Sequence, residues 1–193
     1  MQQLQAKPLR SDATRERILL HARQLFAERG FERTTIRAVA QAAEIHPSMV
    51  MRYYGSKEEL FATAASIDFH MPDLSLVDPA RRGEALIQHI LEQWEGEGTG
   101  PELKVLLRAA GTHEKARQRF VEVVQRQALP VIRKVVTPDR QEERIGLILV
   151  QIAGLVVSRY LFAYRPVVAM DRSQIIRSLG AVLQIYLSGS LPS

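Results

Sequence analysis

The sequence predicts an all-α protein of about nine helices, with a small N-terminal domain and a larger C-terminal one. Three observations support this fold class. Apolar residues recur at spacings of three and four along most of the chain, which is the period of an α-helix. Capping residues, glycines and prolines separate the periodic stretches. Hydrophobic side chains make up 46% of the 193 residues, which is enough to form a buried core.

Composition and apolar runs exclude several classes of protein. The chain has no cysteine, so it cannot use disulfides, thiolate metal sites or a cysteine nucleophile. Its first ten residues lack the apolar core of a signal peptide. The longest nearly apolar run, residues 145–157, is too short to span a bilayer and contains Gln151. We therefore expect a cytoplasmic protein that does not enter a membrane.

The positive charge is concentrated at the N-terminal end. Residues 1–57 contain ten Lys or Arg against five Asp or Glu, whereas residues 58–193 contain sixteen of each kind. The whole formal excess of +5 therefore lies in the first third of the chain. This asymmetry is typical of a module that faces nucleic-acid phosphates attached to a body that does not. A solvated basic surface without a partner is the simpler alternative.

The chain begins with a polar stretch and one clear helix. Residues 1–10 are polar and show no helical period, so a disordered arm is expected there. Residues 11–29 have apolar side chains at helical spacing, and Ser11 or Asp12 can cap this first helix. Gly30 follows as its expected end, because glycine adopts the left-handed conformation that terminates helices.

Two short helices with a tight turn between them follow. Thr34 or Thr35 can cap the second helix, which is expected to run to about residue 43. His46 is placed to cap the third helix, and Pro47 suits its first turn because the missing N–H is not needed there. Gly55 ends the third helix. This arrangement is a helix-turn-helix, and residues 11–57 are assigned to it as one domain.

A helix-turn-helix that binds DNA needs polar or flexible side chains near the start of its third helix and an apolar back face. The outward-facing residues there are Ser48, Met49, Met51 and Arg52. Arg37 of the second helix could form two hydrogen bonds to a guanine. The side chains of Thr35, Tyr53 and Lys57 could bond to phosphates. The alternative is an ordinary helix pair whose exposed face is basic.

Residues 58–193 form the predicted second domain. Residues 56–59, with the sequence SKEE, are a capping box for a fourth helix that is expected to include residues 60–70. Further helices are expected at about residues 79–95, 102–111, 114–136, 140–164 and from 171 onward. Pro130 should bend or split the 114–136 helix. The last two helices are apolar around most of their surface and so favour a homodimer, although a purely intramolecular core is the alternative.

The N-terminal part closely resembles the DNA-binding domain of the TetR family of transcriptional repressors. The resemblance covers about residues 12–62 without gaps, and its most specific parts are ARQLFAERGFERTTIRAVAQAA and RYYGSKEELF. It implies a ligand-responsive repressor that binds a palindromic operator as a homodimer. The last two helices would pair with those of a second copy in a four-helix bundle. A small-molecule effector would release the DNA by shifting the helix from Lys57 to His70, which changes the spacing of the two DNA-binding domains.

The resemblance also implies roles for individual residues. Those at backbone-contacting positions of the family are Thr35, Tyr53 and Lys57. Those at base or near-base positions are Arg37, Pro47, Ser48, Met51 and Arg52, and the adjacent cap residue His46 completes the predicted DNA-binding set. Glu44 replaces a glycine common in the turn, which would cost about 1 kcal/mol if that residue has a positive φ. Met51 and Arg52 replace frequent aromatic residues, so the operator sequence cannot be predicted.

By the same resemblance, helices between about residues 60 and 165 should enclose a ligand cavity. Candidates for its wall are Met71, Trp94, His113, Phe120 and Tyr160, although ordinary core packing is the alternative for each. An enzyme is disfavoured, because the five histidines are scattered outside any metal-binding motif and no phosphate loop or nucleophile elbow occurs. We expect no cofactor or metal. A constitutive or activating regulator without an effector would differ by having a filled core.

Overall fold

The computed structural model describes residues 10–64, 68–96, 99–111 and 113–192, and these contain helices but no β-strand. The all-α fold class is confirmed. The arm was predicted over residues 1–10. Residues 1–9 lie outside the described residues, and Arg10 is the first residue of a helix. The α-helices are α1 (Arg10–Arg33), α2 (Ile36–Ala42), α3 (Pro47–Tyr54), α4 (Lys57–Ala64), α5 (Arg82–Glu95), α6 (Gly100–Ala110), α7 (Glu114–Val123), α8 (Leu129–Val135), α9 (Gln141–Val156), α10 (Arg165–Val168) and α11 (Arg172–Ser188).

The end of α1 is shaped by Gly30 and Thr34. Gly30 has a φ of +75°, which interrupts the helix and turns Phe31 back into the core. The hydroxyl of Thr34 is fully buried and lies 3.0 Å from the Leu25 carbonyl and 2.8 Å from the Gly30 carbonyl. Thr34 therefore stabilises the end of α1, which leaves Thr35 as the cap of α2.

α1 joins the N-terminal helices to the rest of the protein. It packs along α4 and α6, and the buried residues of these helices belong to one continuous apolar cluster. An ion pair between Arg23 of α1 and Glu102 of α6, 3.0 Å long, lies in this contact. Arg108 of α6 also donates a hydrogen bond of 2.8 Å to the carbonyl of Ala27. The helix-turn-helix is thus fixed to the body by α1.

The fourth helix is shorter than the sequence suggested. A helix over residues 60–70 was expected; the described part of α4 runs to Ala64, and residues 68–70 are not helical. The Asp68 carboxylate accepts a hydrogen bond of 2.8 Å from the His70 amide, and His70 has a φ of +42°. Pro72 follows shortly and disfavours helical backbone in the residue before it. These local features replace the end of the predicted helix with an irregular link to α5, residues 68–81, which contains two short 3₁₀ helices at Leu74–Leu76 and Pro79–Arg81.

Pro130 splits the predicted 114–136 helix, as expected. α7 and α8 are separated by a π-helical turn at Val124–Ala128. Pro130 has no N–H to donate and its ring clashes with the preceding turn, so a wider turn accommodates it. A second π-helical turn, Val157–Leu161, extends α9. The short α10 (Arg165–Val168) was not anticipated.

α5, α9 and α11 form the far side of the body. α5 and α11 cross at two glycines: a Cβ on Gly83 would lie 2.2 Å from the Gly180 carbonyl oxygen. The helical stretch of residues 141–161 is long and apolar enough to cross a membrane, by length and composition only. The apolar run of residues 145–157 that the sequence shows is shorter and is not. Only 28% of their most apolar stretch is buried within the chain. One face of α9 is therefore apolar and exposed.

Candidate functional site

The helix-turn-helix is held by the caps that its sequence predicted. The Thr35 hydroxyl accepts a hydrogen bond of 3.1 Å from the Ala38 amide at the start of α2. His46 caps α3, since its Nδ1 accepts from the Ser48 amide at 3.3 Å, and Pro47 occupies the first turn. Each cap satisfies a backbone donor that the helix itself leaves free, so the two helix starts are fixed locally.

The back face of α3 is fixed to α1. Val50 is fully buried and Tyr54 is 5% exposed. The Tyr54 hydroxyl donates a 2.8 Å hydrogen bond to the Arg15 carbonyl, and the Arg15 guanidinium lies 5.5 Å from the centre of the Tyr54 ring. Burial raises the pKa of Tyr54, so the hydroxyl keeps its proton and remains a donor. These contacts set which face of α3 points outward.

The outward face of α3 carries most of the predicted base-contacting residues. Ser48, Met51 and Arg52 are exposed, and their spacing of three and four places them on one side of the helix. Thr35, the cap of α2, and Arg37 within α2 are also exposed. His46 is also exposed, whereas Pro47, Tyr53 and Lys57 are half-buried. The nine residues predicted to bind DNA are therefore all at least partly accessible.

Lys57 has contacts that limit its freedom. Its ammonium donates a hydrogen bond of 3.2 Å to the Glu32 carbonyl and lies 4.3 Å from the centre of the Phe31 ring. An ammonium group has three donors, so Lys57 keeps donors for a phosphate while it ties the start of α4 to the end of α1. The Ser56 hydroxyl accepts from the Glu59 amide at 3.0 Å, which forms one half of the expected capping box.

Glu44 in the turn has a φ of +53°. This is the conformation in which the Cβ of a non-glycine residue is crowded, and it costs about 1 kcal/mol relative to glycine. The next residue closes the turn, because the Ile45 amide donates to the Ala40 carbonyl at 3.0 Å. The turn therefore has the geometry for which glycine is common, although its residue is an exposed glutamate.

The body contains a cavity of about 370 Å³. It lies among α5 to α9 and the irregular link after α4, and its wall is mostly aliphatic and aromatic. The polar residues in the wall are His89, Gln93 and Gln125; none of the described lining residues is Asp, Glu, Lys or Arg. A volume of this size and character is typical of a small-molecule site.

The sequence-predicted wall residues divide into two groups. Met71, Trp94 and Phe120 line the cavity. Tyr160 does not; it stacks on Trp94 with ring centres 5.3 Å apart, and its hydroxyl donates to Glu95 at 3.0 Å. Burial raises the pKa of Tyr160, so it stays a neutral support behind the wall. His113 lies elsewhere, at the contact between α1, α4 and α7.

His113 belongs to a cluster that we call the aromatic joint, formed by Phe26, Phe31, Phe61 and His113. The Phe61 ring centre is 5.1 Å from those of both Phe26 and Phe31, and the His113 ring is 4.0 Å from Phe31. His113 Nδ1 also accepts from the Ala116 amide at 3.3 Å, so the same side chain caps α7. The aromatic joint connects the end of α1 and α4 to the body.

Phe69 connects the cavity to the link after α4. Its side chain lines the cavity, its amide donates to the Gln127 side-chain oxygen at 2.7 Å, and its carbonyl accepts from His89 Nε2 at 2.8 Å. Burial lowers the pKa of His89, so the ring is neutral with its proton on Nε2. We call these two hydrogen bonds the Phe69 clamp. Sequence reasoning missed it, because Phe69 had been placed inside a helix.

Two protein-family models match parts of this chain. Residues 18–64 match "Bacterial regulatory proteins, tetR family", and residues 80–187 match "Tetracyclin repressor-like, C-terminal domain". The HTH-type transcriptional regulator TcmR of Streptomyces glaucescens is 40% identical over 53 residues, which cover 28% of this chain and 24% of TcmR. The HTH-type transcriptional repressor NicS of Pseudomonas putida is 28% identical over 116 residues, covering 56% of this chain and 53% of NicS. The chain thus spans about half or less of the curated relatives it matches. All of these are regulators and not enzymes.

Solved structures share the fold over almost the full chain. A TetR-family regulator from Streptomyces coelicolor A3 is 25% identical with a TM-score of 0.64, covering 94% of this chain and 98% of that one. NalD, the secondary repressor of the MexAB-OprM multidrug efflux pump in Pseudomonas aeruginosa, is 21% identical with a TM-score of 0.70, covering 92% and 97%. The second likeness concerns the fold alone.

Proposed function

This chain belongs to the TetR family of bacterial transcriptional regulators, and from that premise we propose that it is a ligand-responsive repressor that acts as a homodimer. Its role as a helix-turn-helix DNA-binding regulator follows from the family. The proposal adds that the operator is palindromic and that a small molecule releases it. The observation that carries the proposal is the cavity of about 370 Å³, whose wall includes the link after α4. A regulator without an effector would have no need of it.

The outward face of α3 would enter the major groove of the operator. Ser48, Met51 and Arg52 are the residues proposed to meet base edges, with His46 and Pro47 fixing the start of the helix. Arg37 is proposed to read a guanine through two hydrogen bonds. Phosphate contacts are assigned to Thr35, Tyr53 and Lys57, which lie at the edges of this face. Such contacts orient the domain without specifying sequence.

The exposed face of α9 and α11 supports the homodimer. Val150, near the centre of α9, is 65% exposed, and Ile185, in the last turn of α11, is 47% exposed. A Cβ placed on Gly146 or Gly154 would meet nothing within 4 Å, so α9 presents a flat surface there. A two-fold axis across this face would bury it and hold two DNA-binding domains in the symmetry of a palindrome. The dimer would be cytoplasmic.

The Phe69 clamp supports a route from effector to DNA. A ligand in the cavity would press on the Phe69 side chain, whose backbone is held by Gln127 and His89. Displacing Phe69 would move the link that follows α4, and α4 contacts α1 through the aromatic joint. The two DNA-binding domains would then change their separation and lose the match to successive half-sites.

Selection of bound fragments from the host genome tests the DNA part of this proposal. We expect the enriched fragments to share an inverted repeat whose half-site centres lie a whole number of helical turns apart, about 10 bp or a multiple of it. Footprinting should show one dimer protecting both half-sites. Enriched fragments without two-fold symmetry would contradict the palindromic operator and the proposed dimer.

A further inference from the structure

We propose that the cavity binds an uncharged, mainly apolar ring compound of about 15 non-hydrogen atoms that carries a hydrogen-bond acceptor. This inference rests on the proposed function, because it assigns the chemistry of the effector. The size follows from the volume. An apolar cavity of about 150 Å³ holds one benzene molecule, so about 370 Å³ accommodates two to three rings.

The composition of the wall argues for rings. Phe69, Trp94 and Phe120 present aromatic surfaces to the cavity, and most of the remaining wall is branched aliphatic. Aromatic faces and edges pair favourably with other rings at centre distances of about 4.5–7 Å. Trp94 is held in place from behind by its stacking on Tyr160, so its ring offers a fixed surface rather than a mobile one.

The electrostatics of the wall argue against a charged compound. The described lining contains no acid, lysine or arginine that could compensate an ionised group. His89 supplies no positive charge, because burial lowers its pKa and its Nε2 proton is donated to the Phe69 carbonyl. An ion moved from water into such a site would lose hydration without gaining a partner.

The charged residues around Trp94 and Tyr160 are paired with one another. Glu95 lies next to Trp94 in sequence and forms ion pairs with Arg159 at 3.2 Å and with Arg172 at 2.7 Å. The same carboxylate accepts from the Tyr160 hydroxyl. This network supports Tyr160 behind Trp94 and keeps the Glu95 carboxylate paired, so Glu95 is not free to compensate a charged ligand.

One polar feature of the wall specifies a hydrogen-bond acceptor. Gln93 lines the cavity, and its side-chain oxygen accepts from the Thr99 hydroxyl at 2.8 Å. That bond fixes the orientation of the amide and leaves its NH₂ group as a donor. Gln125, exposed at the rim, provides a second amide. A carbonyl, ether or phenol oxygen on the compound would pair with these groups at little desolvation cost.

Three matched fluorescent compounds test the assigned class on the whole chain. N-phenyl-1-naphthylamine is uncharged, 8-anilinonaphthalene-1-sulfonate adds one anionic group to the same rings, and the corresponding sulfonamide controls for the added size and supplies uncharged acceptor oxygens. The chain has a single tryptophan, Trp94, so quenching of its emission reports occupation of this cavity. We expect the two uncharged compounds to bind one per chain and at least about tenfold more tightly than the sulfonate.

A charge placed at the rim should change this preference. Gln125→Lys puts an ammonium at the exposed edge of the cavity and should reduce the preference for the uncharged compounds by about tenfold. Gln88→Lys makes the same charge change on the solvent side of α5 and should leave the preference as it was. A sulfonate that binds as tightly as the uncharged compounds, or an absence of Trp94 quenching by all three, would overturn the inference.

The same titrations, repeated with operator DNA, separate this inference from the proposed function. Binding of the uncharged compounds with loss of operator affinity supports both. Binding with unchanged operator affinity supports the assigned ligand class and contradicts release by an effector. Release of operator without Trp94 quenching would place the effector outside this cavity and overturn the inference alone.

Discussion

The recognition surface and the cavity are built in different ways. The surface is formed by α2 and α3, whose starts are fixed by contacts two or three residues apart, such as Thr35 to Ala38 and His46 to Ser48. The cavity wall instead collects residues from five helices and an irregular link. Short-range contacts make a surface that keeps its shape, whereas a wall assembled over long distances in sequence can change when one member moves. This difference suits a protein in which a deformable ligand cavity acts on a rigid DNA-binding surface.

The largest effect should come from breaking the proposed dimer face formed by α9 and α11. We expect the double substitution Val150→Glu and Ile185→Glu to give a monomer, because uncompensated charges buried in an interface cost about 3–5 kcal/mol. Operator affinity should fall by at least about 100-fold, since a single DNA-binding domain reads only one half-site. Sedimentation velocity and a mobility-shift assay measure the two effects.

Leu20→Glu provides the control for that experiment, because Leu20 is 54% exposed on α1, outside the α9–α11 face. It should leave the oligomeric state unchanged. A double variant that stays dimeric would contradict the assignment of this face as the interface.

The next effect concerns base recognition by the helix-turn-helix. Replacing Arg37 by alanine should relax the preference at one base pair of each half-site and cost about 1–3 kcal/mol in binding to the best operator, because the bidentate contact to guanine is lost. The change is measured by the affinities of both proteins for four operators that differ only in the base pair at that position. Thr35→Ala is the matched control and should weaken binding to all operator sequences by a similar factor. If Arg37→Ala weakened binding to every operator sequence by the same factor, Arg37 would contact a phosphate and not a base.

A smaller effect tests the strain in the turn. Glu44→Gly should raise the free energy of unfolding by about 1 kcal/mol, because glycine accepts the φ of +53° without a crowded Cβ. Urea unfolding measures the change, and Glu44→Ala should show little gain since it keeps the Cβ. Sequence preference should not change. Destabilisation by glycine would mean that Glu44 makes contacts that outweigh the strain.

The smallest effect is a pH dependence in the body. His89 is neutral in the folded protein, and burial lowers its pKa below the ordinary value of 6.5. Below pH 6.5 the unfolded chain takes up a proton on this residue before the folded one does, so stability should decrease as the pH falls. Unfolding midpoints between pH 7.5 and about 5 should show this slope, and His89→Gln should reduce it. An equal slope in both proteins would assign the dependence to other groups.

The two regions also differ in how far the sequence predicted them. Pro47, Gly55 and the caps of α2 and α3 are local signals, and the structure places them as expected. The expected helix over residues 60–70 was wrong at residues 68–70, where, besides the local contact between Asp68 and His70, the Phe69 amide donates to Gln127, 58 residues away. Apolar periodicity cannot reveal a partner at that distance.

The cavity shows the same limit. Met71, Trp94 and Phe120 were predicted for its wall and lie there, whereas His113 caps α7, packs on Phe31 and lines a separate pocket beside α4. An aromatic residue on a buried face can line a cavity or fill a core, and only the arrangement of helices decides which. The roles of the predicted DNA-contacting residues stay predictions.

The central claim is that occupation of the cavity controls DNA binding through the Phe69 clamp. The most direct test is the operator dissociation constant measured while Trp94 quenching by N-phenyl-1-naphthylamine reports cavity occupation. We expect the dissociation constant to rise with occupation and to level off about 5- to 150-fold higher when the cavity is full. A fully quenched Trp94 with an unchanged dissociation constant would contradict the claim.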